Sequence, residues 1–589
     1  MRSMMESPPK PPMTASTPDP FLHKLALDAG QINVEVPVPA RPLKVLVGTW
    51  NVGNKMPPAT ADGLSAWIPQ HGGDYDVIAI GLQESSFRKP SSKSELHDKD
   101  GKEDKYESDD EDEDNEEVDA AKEAPVDAAK ETPVDAAKEA PAEASKEAPP
   151  PLIKSASSKR SMVSHYAFFH QLEHHVGPSY VVAGSVELME IRLIVFVHER
   201  NAVTDVEKTT EATGVGNVIG NKGGAVLKLT VDGLSLCFVN CHLAAHEAQK
   251  FLDRRNSDCA EILNGARVGL KSLSIDHQFD HAFWFGDMNY RINLEYGGGD
   301  ALAKDAHWDA VHALVMAKDF ATLYANDQLQ HQLAEGKALA GWSTAPCDFP
   351  PTFKRVRGRE TEFTRQRVPS YCDRILWTSL PGYASHLKLL KYACVETIST
   401  SDHKPVFGAF ELARYAPTPP TTARPHQSIE VQFSNVAASN LLAMDITGTS
   451  DPYIKFYCPI AGMLVDDEPG KHHPQSGIVK ASVNPEWTDD QLPTLKLRAR
   501  LHELQKVHLV LVLMDYDATS ADDALGEVVL CLQDLYSPDG PVAFERPVIL
   551  NGVATGILRG AATVSPSDKG LASWEKPSEA VPGCSCAAM

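Results

Sequence analysis

No Cys-x-x-Cys pair occurs among the ten cysteines of this 589-residue chain. That spacing is the mark of structural zinc ribbons and redox loops, and the scatter also argues against a secreted disulfide framework. No apolar run approaches the roughly 18 residues that a membrane helix needs, so a membrane would be met from its surface. The opening MRSMMESPPKPP has no apolar core, so a signal peptide is not expected and a cytoplasmic location is. Basic charge is also short. Lysine and arginine number 56 against 80 acidic residues, a formal net charge of −24, so nothing in the bulk charge suggests a nucleic-acid binder.

The acidic excess is local. Glu95 to Asp119 holds 15 acidic and 3 basic residues, and Ala120 to Pro150 holds 7 and 4, so 15 of the 24 net charges lie in one stretch. Within it an octad repeats: VDAAKEAP, VDAAKETP, VDAAKEAP, AEASKEAP (118–149). A proline every eighth residue breaks each helix that Ala, Lys and Glu would start, so 89–161 reads as a disordered insertion. Residues 1–40 are proline-rich and polar, with an edge strand expected at Ile32–Val38. A catalytic α/β domain is expected over 41–413, a Pro-rich linker (APTPPTTARP) within 414–427, an all-β module over 428–566 and a flexible tail over 567–589.

In the α/β region strands are expected at Leu43–Val47, Val77–Leu82, Val181–Ala183, Ile191–Val197, Ala225–Thr230, Ser235–Asn240, Ala282–Phe285, Arg374–Trp377 and Val406–Leu412. A helix is expected between Ala244 and Gly269. Strands and helices mix without a regular βαβ rhythm, which predicts an α/β sandwich and not a barrel.

Several apolar strands end in polar groups. LVGTWN ends on Asn51, IAIGLQE on Glu84, LCFVNCH on His242 and FWFGDMN on Asp287 and Asn289, while STSDHKPVF carries Asp402 and His403. One such end is an ordinary turn; five suggest a rim that collects functional groups on a stiff scaffold. Glu84 and Asn51 offer hard oxygens suited to Mg²⁺. Asp287 can orient or deprotonate a water. His403 needs a carboxylate to fix its tautomer, and Asp373 in PSYCDRIL is the candidate.

FWFGDMNYR (283–291) and RVPSYCDRIL (367–376) resemble the two signature motifs of the inositol polyphosphate 5-phosphatases. TWN (49–51), QE (83–84), GNKGG (220–224), NCHLAAH (240–246), PPTFK (350–354) and SDHKPV (401–406) resemble the accompanying ones. The resemblance implies the four-layer α/β sandwich of DNase I-like nucleases. It implies that Glu84, with Asn51, holds Mg²⁺ with Asp402 near it, and that Asp287 positions the attacking water. It further implies that Asn289 binds the phosphoryl group, that His403 oriented by Asp373 contacts the scissile phosphate, and that His242 stands on the phosphate side supported by Asn240. Lys354, Arg365 and Arg367 match positions that grip the neighbouring 4-phosphate. Phe353 stands where the family usually has tyrosine. Arg357 and Arg359 read as surface cations, and Lys222 stays open between a turn charge and a site contact.

In the all-β module LLAMDITGTSDPYIKF carries Asp445 and Asp451, and LVLMDYDATSADDALGEV carries Asp515, Asp517 and Asp523. Five carboxylates on two loops repel one another unless a cation neutralises them, and oxygen-only ligands point to Ca²⁺. The pattern resembles the C2 domain, which implies calcium-dependent binding to an anionic membrane surface. The chain ends in CAAM, a C-a-a-X pattern with Cys586 as the prenylation site and Cys584 as a second acylation site. Together these lead to the expectation of a Mg²⁺-dependent enzyme that removes the 5-phosphate of phosphoinositides, chiefly phosphatidylinositol 4,5-bisphosphate, at the cytoplasmic membrane face. Soluble inositol 1,4,5-trisphosphate is the alternative substrate. A nuclease of the same fold and a lipid-binding scaffold are the competing classes.

Overall fold

The structure, a computed structural model, describes residues 41–56, 61–86, 167–213, 222–298, 302–414, 428–445, 448–465, 473–518 and 520–567. The expected edge at Ile32–Val38, the insertion, nearly all of the linker, and Cys584 and Cys586 lie outside these residues.

Two six-stranded sheets build the first domain. One runs β11-β12-β1-β2-β4-β3, from β1 (Leu43–Asn51), β2 (Val77–Gln83), β3 (Tyr180–Leu188), β4 (Ile191–His198), β11 (Leu387–Cys394) and β12 (Val406–Leu412). The other runs β5-β6-β7-β8-β10-β9, from β5 (Val203–Ala212), β6 (Gly223–Val231), β7 (Leu234–His242), β8 (His281–Asp287), β9 (Ser343–Thr344) and β10 (Asp373–Ser379). Period-two alternation explains how they stack. On β8, Phe283 and Phe285 join Val45, Val47, Phe238 and Phe410 in the core between the sheets. Ala282 and Trp284 face the other way, onto Leu252, Ile262 and Leu263 of the helix Gln249–Gly265. On the first sheet's side lies the helix Ala167–Val176 with Phe168 and Leu172 buried. The layers are therefore helix, sheet, sheet, helix.

The expected strands are all present, most of them longer than expected. β5, β11 and the two-residue β9 are additions to that set. β5 (VTDVEKTTEA) is an exposed edge strand whose charges hide its alternation, and β11 (LKLLKYAC) is the edge of the other sheet, interrupted by a register shift between Leu389 and Lys391.

The second domain is all β: β13 (Ile429–Ser439), β14 (Pro452–Tyr457), β15 (Glu486–Trp487), β16 (Leu495–Leu497), β17 (His508–Asp515), β18 (Asp523–Cys531), β19 (Val542–Leu550) and β20 (Val553–Pro566). Its strand order is β14-β17-β18-β19-β20-β13-β15, with β16 on β13. β17 is apolar on both faces. Leu509, Leu511 and Leu513 enter this domain's own core, while Val510 and Val512 pack with Tyr457 around Leu273 of the first domain. Burying a leucine side chain in this way stabilises by about 1.5–3 kcal/mol. Beside it, Glu527 accepts from the Ser274 amide (2.9 Å) and pairs with His277 Nδ1 (2.8 Å). The Gly382 amide donates to His508 Nε2 (2.9 Å), and the segment around Gly336 and Ala340 bonds Ala554 and Gly552. Among the described residues no helix is long and apolar enough to cross a membrane.

Candidate active site

Strand register assembles the site. β7 and β8 run parallel with His242 beside Asp287, and β10 runs antiparallel to β8 with Asp373 beside Asp287. On the facing sheet β1 and β2 run parallel with Asn51 beside Gln83, one residue before Glu84. All these positions lie at one rim. Gly286 allows the closest approach: its φ is 144°, and a Cβ there would collide with the backbone of Cys241.

Asp287 is the hub. It is 1% exposed, and its Oδ2 accepts from Asn51 Nδ2 (2.9 Å) and lies 3.3 Å from His242 Nε2 and 3.8 Å from His403 Nε2. Burial alone would push its carboxyl up, but the charge of His403 and the hydrogen bond and charge of His242 outweigh it and hold it well below the usual carboxylate range. His403 shows the converse. Desolvation would lower it, yet Asp373, bonded to its Nδ1 at 2.9 Å, and Asp287 together raise it to about 9. Asp373 is itself pushed up by burial, partly offset by His403, and Thr352 Oγ1 donates to its Oδ2 at 2.6 Å. The result is an imidazolium fixed between two buried carboxylates. Its loop is clamped from below: Ser401 Oγ donates to the Asn51 carbonyl (2.8 Å), and the Trp50 indole donates to the His403 carbonyl (3.2 Å).

The FWFGDMNYR stretch sends its side chains to two sides. Met288 is fully buried with Trp284 and Tyr290 on the helix side, away from Asp287. The backbone, however, is not extended through Asn289, whose φ is 57°. That left-handed turn brings the Asn289 amide N–H onto Asp287 Oδ1 (3.1 Å), while Arg291 Nη2 holds the Asn289 side-chain oxygen (2.5 Å).

Among the described residues two groups bring three candidate ligand atoms within 4.8 Å of one another: Glu84, His242 and Asp287, and Asp287, Asp373 and His403. Asp402 is in neither group. The Asn51 amide nitrogen faces Glu84 Oε1 (2.8 Å) and Asp287, and its oxygen accepts from the Gly53 amide (2.9 Å), so Asn51 bridges two carboxylates as a donor. Asp402 faces Arg357 Nη2 (2.9 Å) and, more distantly, Lys354 Nζ (4.0 Å).

The comparisons with known proteins agree with this architecture. Residues 48–409 match the model of Endonuclease/Exonuclease/phosphatase family 2, and residues 430–545 match the C2 domain model. The chain belongs to the endonuclease/exonuclease/phosphatase family. Its four-layer sandwich is this family's fold, and its all-β module is a C2 domain. Among relatives, a Danio rerio protein named phosphatidylinositol 3,4,5-trisphosphate 5-phosphatase 2A is 29% identical over 401 residues, covering 65% of this chain and 30% of that one. The Homo sapiens phosphatidylinositol 3,4,5-trisphosphate 5-phosphatase 2 is 28% identical over 408 residues, covering 66% and 30%. The chain thus spans about 30% of the length of these relatives. A solved inositol polyphosphate 5-phosphatase domain of SPsynaptojanin, with inositol (1,4)-bisphosphate and calcium, superposes with TM-score 0.42 at 23% identity, covering 63% of this chain and 84% of that one.

Within this family member the remaining expected residues fall unevenly. Asn240 does not support His242. Its amide is spent between the sheets, accepting from Gln83 Nε2 (2.6 Å) and donating to the Arg192 and Leu82 carbonyls (2.8 and 3.2 Å). Lys222 is in the site, 2.6 Å from His242 Nε2. Lys354 is at the rim over the Phe353 ring, which packs on His403 with centroids 4.5 Å apart. Arg365 turns to Asp309 (2.5 Å) over the Trp308 ring, and Arg367 is half-buried, bonded to the Gln366 carbonyl at 3.3 Å. Arg357, read from sequence as a surface cation, is exposed and bonds Asp402 and the Gly53 carbonyl (3.0 Å). The basic run is visible in sequence, but nothing in it tells which cation turns inward. Cys241 and Cys372 are buried packing groups whose thiols burial pushes up.

In the C2 domain the acidic residues gather at one end of β14, β17 and β18. Asp515 faces Asp523 in register and accepts from the Asp451 amide (2.6 Å). Burial and then the charges of Asp445 and Asp517 push the Asp515 carboxyl up. Asp451 is already engaged by Lys480 (2.9 Å) and the Ala481 amide (2.7 Å). No three of these aspartates form a group within 4.8 Å among the described residues.

Proposed function

We propose that this protein is a Mg²⁺-dependent phosphoric monoester hydrolase that removes the 5-phosphate of phosphoinositides. The observation that carries the reading is the His403 ring seated between Asp373 and Asp287, with Asp287 also bonded to Asn51 and placed by register beside His242.

Glu84 and Asp287 supply two hard carboxylates close together, a donor set that fits Mg²⁺. Bound there, the ion would neutralise phosphate charge and steady the leaving oxygen. The protein's own groups account for the rest. Asp287, held ionised well below the usual range, accepts a proton from the attacking water as a hydrogen bond and orients it toward phosphorus. The His403 imidazolium, fixed by Asp373, places positive charge where the phosphoryl oxygens gain negative charge. Lys222 and His242 line the same side, and the Asn289 amide is locked by Arg291 and Leu243 at the bend beneath the water-bearing carboxylate. Such transfer is mostly positioning and electrostatics, with little covalent work by the protein.

Phosphatidylinositol 4,5-bisphosphate is the proposed substrate, with Lys354 at the rim for its 4-phosphate, and the C2 domain and a prenylated Cys586 holding the enzyme to the cytoplasmic membrane face. The names of the relatives favour a second reading, phosphatidylinositol 3,4,5-trisphosphate. Phosphate release from both lipids and from inositol 1,4,5-trisphosphate, with Mg²⁺ and with chelator, separates them. Release from no 5-phosphorylated substrate ends the enzymatic reading. For the anchor, Cys586→Ser is expected to shift the protein to the soluble fraction of calcium-free lysates.

A further inference from the structure

The proposed metal carboxylate Glu84 sits just past the end of β2 with φ 48°, a left-handed conformation that a residue with a β-carbon adopts only when its surroundings impose it. The surroundings are specific. The next residue, Ser85, is held from the neighbouring strands. Its carbonyl accepts from Arg192 Nη1 (2.6 Å), its hydroxyl accepts from the same nitrogen, and its amide and hydroxyl both donate to the Glu190 carbonyl (3.2 and 2.8 Å). On the other flank the Asn54 amide donates to the Glu84 carbonyl (2.8 Å), and the Asn54 side chain accepts from the Ser86 amide (3.0 Å).

Arg192 is the unusual member. It is a guanidinium 3% exposed in β4, register partner of Leu82, in a strand otherwise made mainly of Ile, Leu, Val and Phe. The Glu187 carboxylate stands 4.0 Å away, while Ser85 is reached at hydrogen-bond distance. A charged donor on a backbone carbonyl is worth more than a neutral one, most of all away from water. Arg192 also ties the turn to the second sheet, because its own carbonyl takes the Asn240 amide.

We propose that Arg192 is a positioning residue for the metal site. By fixing Ser85 it holds Glu84 in the turn from which its carboxylate reaches Asn51 and stands beside Asp287. The inference rests on the Mg²⁺ reading above. Partners behind a ligand typically change metal affinity 10- to 100-fold when removed, and a contact made through the backbone belongs to the same class of effect.

The test is calorimetric titration of the full chain with Mg²⁺, the catalytic component being the binding that Glu84→Gln abolishes. Arg192→Met is expected to weaken that component about 10- to 100-fold, Arg192→Lys, which keeps one donor, to fall between, and Glu187→Gln to match wild type. Wild-type affinity in a folded Arg192→Met overturns the assignment while leaving the metal reading standing. If Arg192→Met does not unfold cooperatively by circular dichroism, Arg192→Lys decides, and unchanged affinity there overturns it equally. If Glu84→Gln abolishes no Mg²⁺ binding, the metal reading falls and the role of Arg192 with it.

Discussion

The molecule gathers carboxylates in two places and treats them in opposite ways. At the catalytic rim Asp287 and Asp373 are almost wholly buried, sit at strand ends, and are locked by register to their neighbours. At the acidic end of the C2 domain Asp445 and Asp523 lie in the open, Asp517 is half-buried, Asp515 alone is buried, and Asp451 is neutralised by an exposed lysine and a backbone amide. The rim is arranged before any ligand arrives, so its groups need little reorganisation. The C2 end is a set of negative charges that a cation would have to draw together, and part of that charge is already answered from within the chain.

If the contrast is right, damage to the rim costs most. Asp287→Asn removes the ionised hub without changing its shape. Turnover is expected to fall at least about 10²- to 10³-fold with circular dichroism unchanged; near-normal turnover would remove Asp287 from its role. Next comes Asp373→Asn, which takes the partner from His403. The raised pKa of His403, about 9, means that its cationic form persists through neutral pH and is lost as pH rises through 9. The kcat/KM profile is thus expected to fall on the alkaline side near pH 9, and Asp373→Asn to move that limb toward lower pH. The same sign governs stability. What His403 contributes is complete below its unfolded value near 6.5 and fades as pH rises through about 9, measurable as falling Tm in alkaline buffer.

At the C2 end the effects are smaller and reach membranes before catalysis. Asp515→Asn is expected to weaken Ca²⁺-dependent sedimentation with phosphatidylserine vesicles while leaving turnover of soluble substrate unchanged. A matching fall in soluble turnover would break the separation between the two regions. The smallest effect belongs to Lys480→Ala. Freeing Asp451 from an exposed ion pair should tighten Ca²⁺ binding by no more than about fivefold in calorimetry, and any weakening would show that Lys480 supports the site.

The two regions also differ in how far the sequence reveals them. Apolar runs ending in polar residues expose the rim, because buried strands are written as unbroken hydrophobic stretches. FWFGDMN and SYCDRIL can therefore be placed at strand ends from their residues alone. What those runs do not encode is the partner across the sheet. Asn240 in NCH looks like part of the site by adjacency and shares a face of β7 with His242, yet it lies two residues back from the strand end, between the sheets, where Gln83 and the Arg192 carbonyl take it. Asn51 is legible as a site residue, but only three-dimensional neighbours show that it donates to two carboxylates and leaves its oxygen to Gly53. Arg192 is hidden for a related reason. An arginine inside a strand reads as a surface position, and its reach to a turn 107 residues earlier has no local signature. In β5 the charges that solubilise an edge strand erase the alternation that would announce it.

The junction built by Leu273, Val510, Val512 and the Glu527–His277 pair bears on how the protein can be dissected. The proline-rich linker looks like the natural place to cut. A catalytic fragment ending there would bare a leucine that is fully buried in the whole chain, and a C2 fragment would lay open a valine row and a carboxylate stripped of its histidine. Fragments made by that cut inherit a sticky face each, so kinetic and membrane-binding work is best done on a chain that keeps both halves.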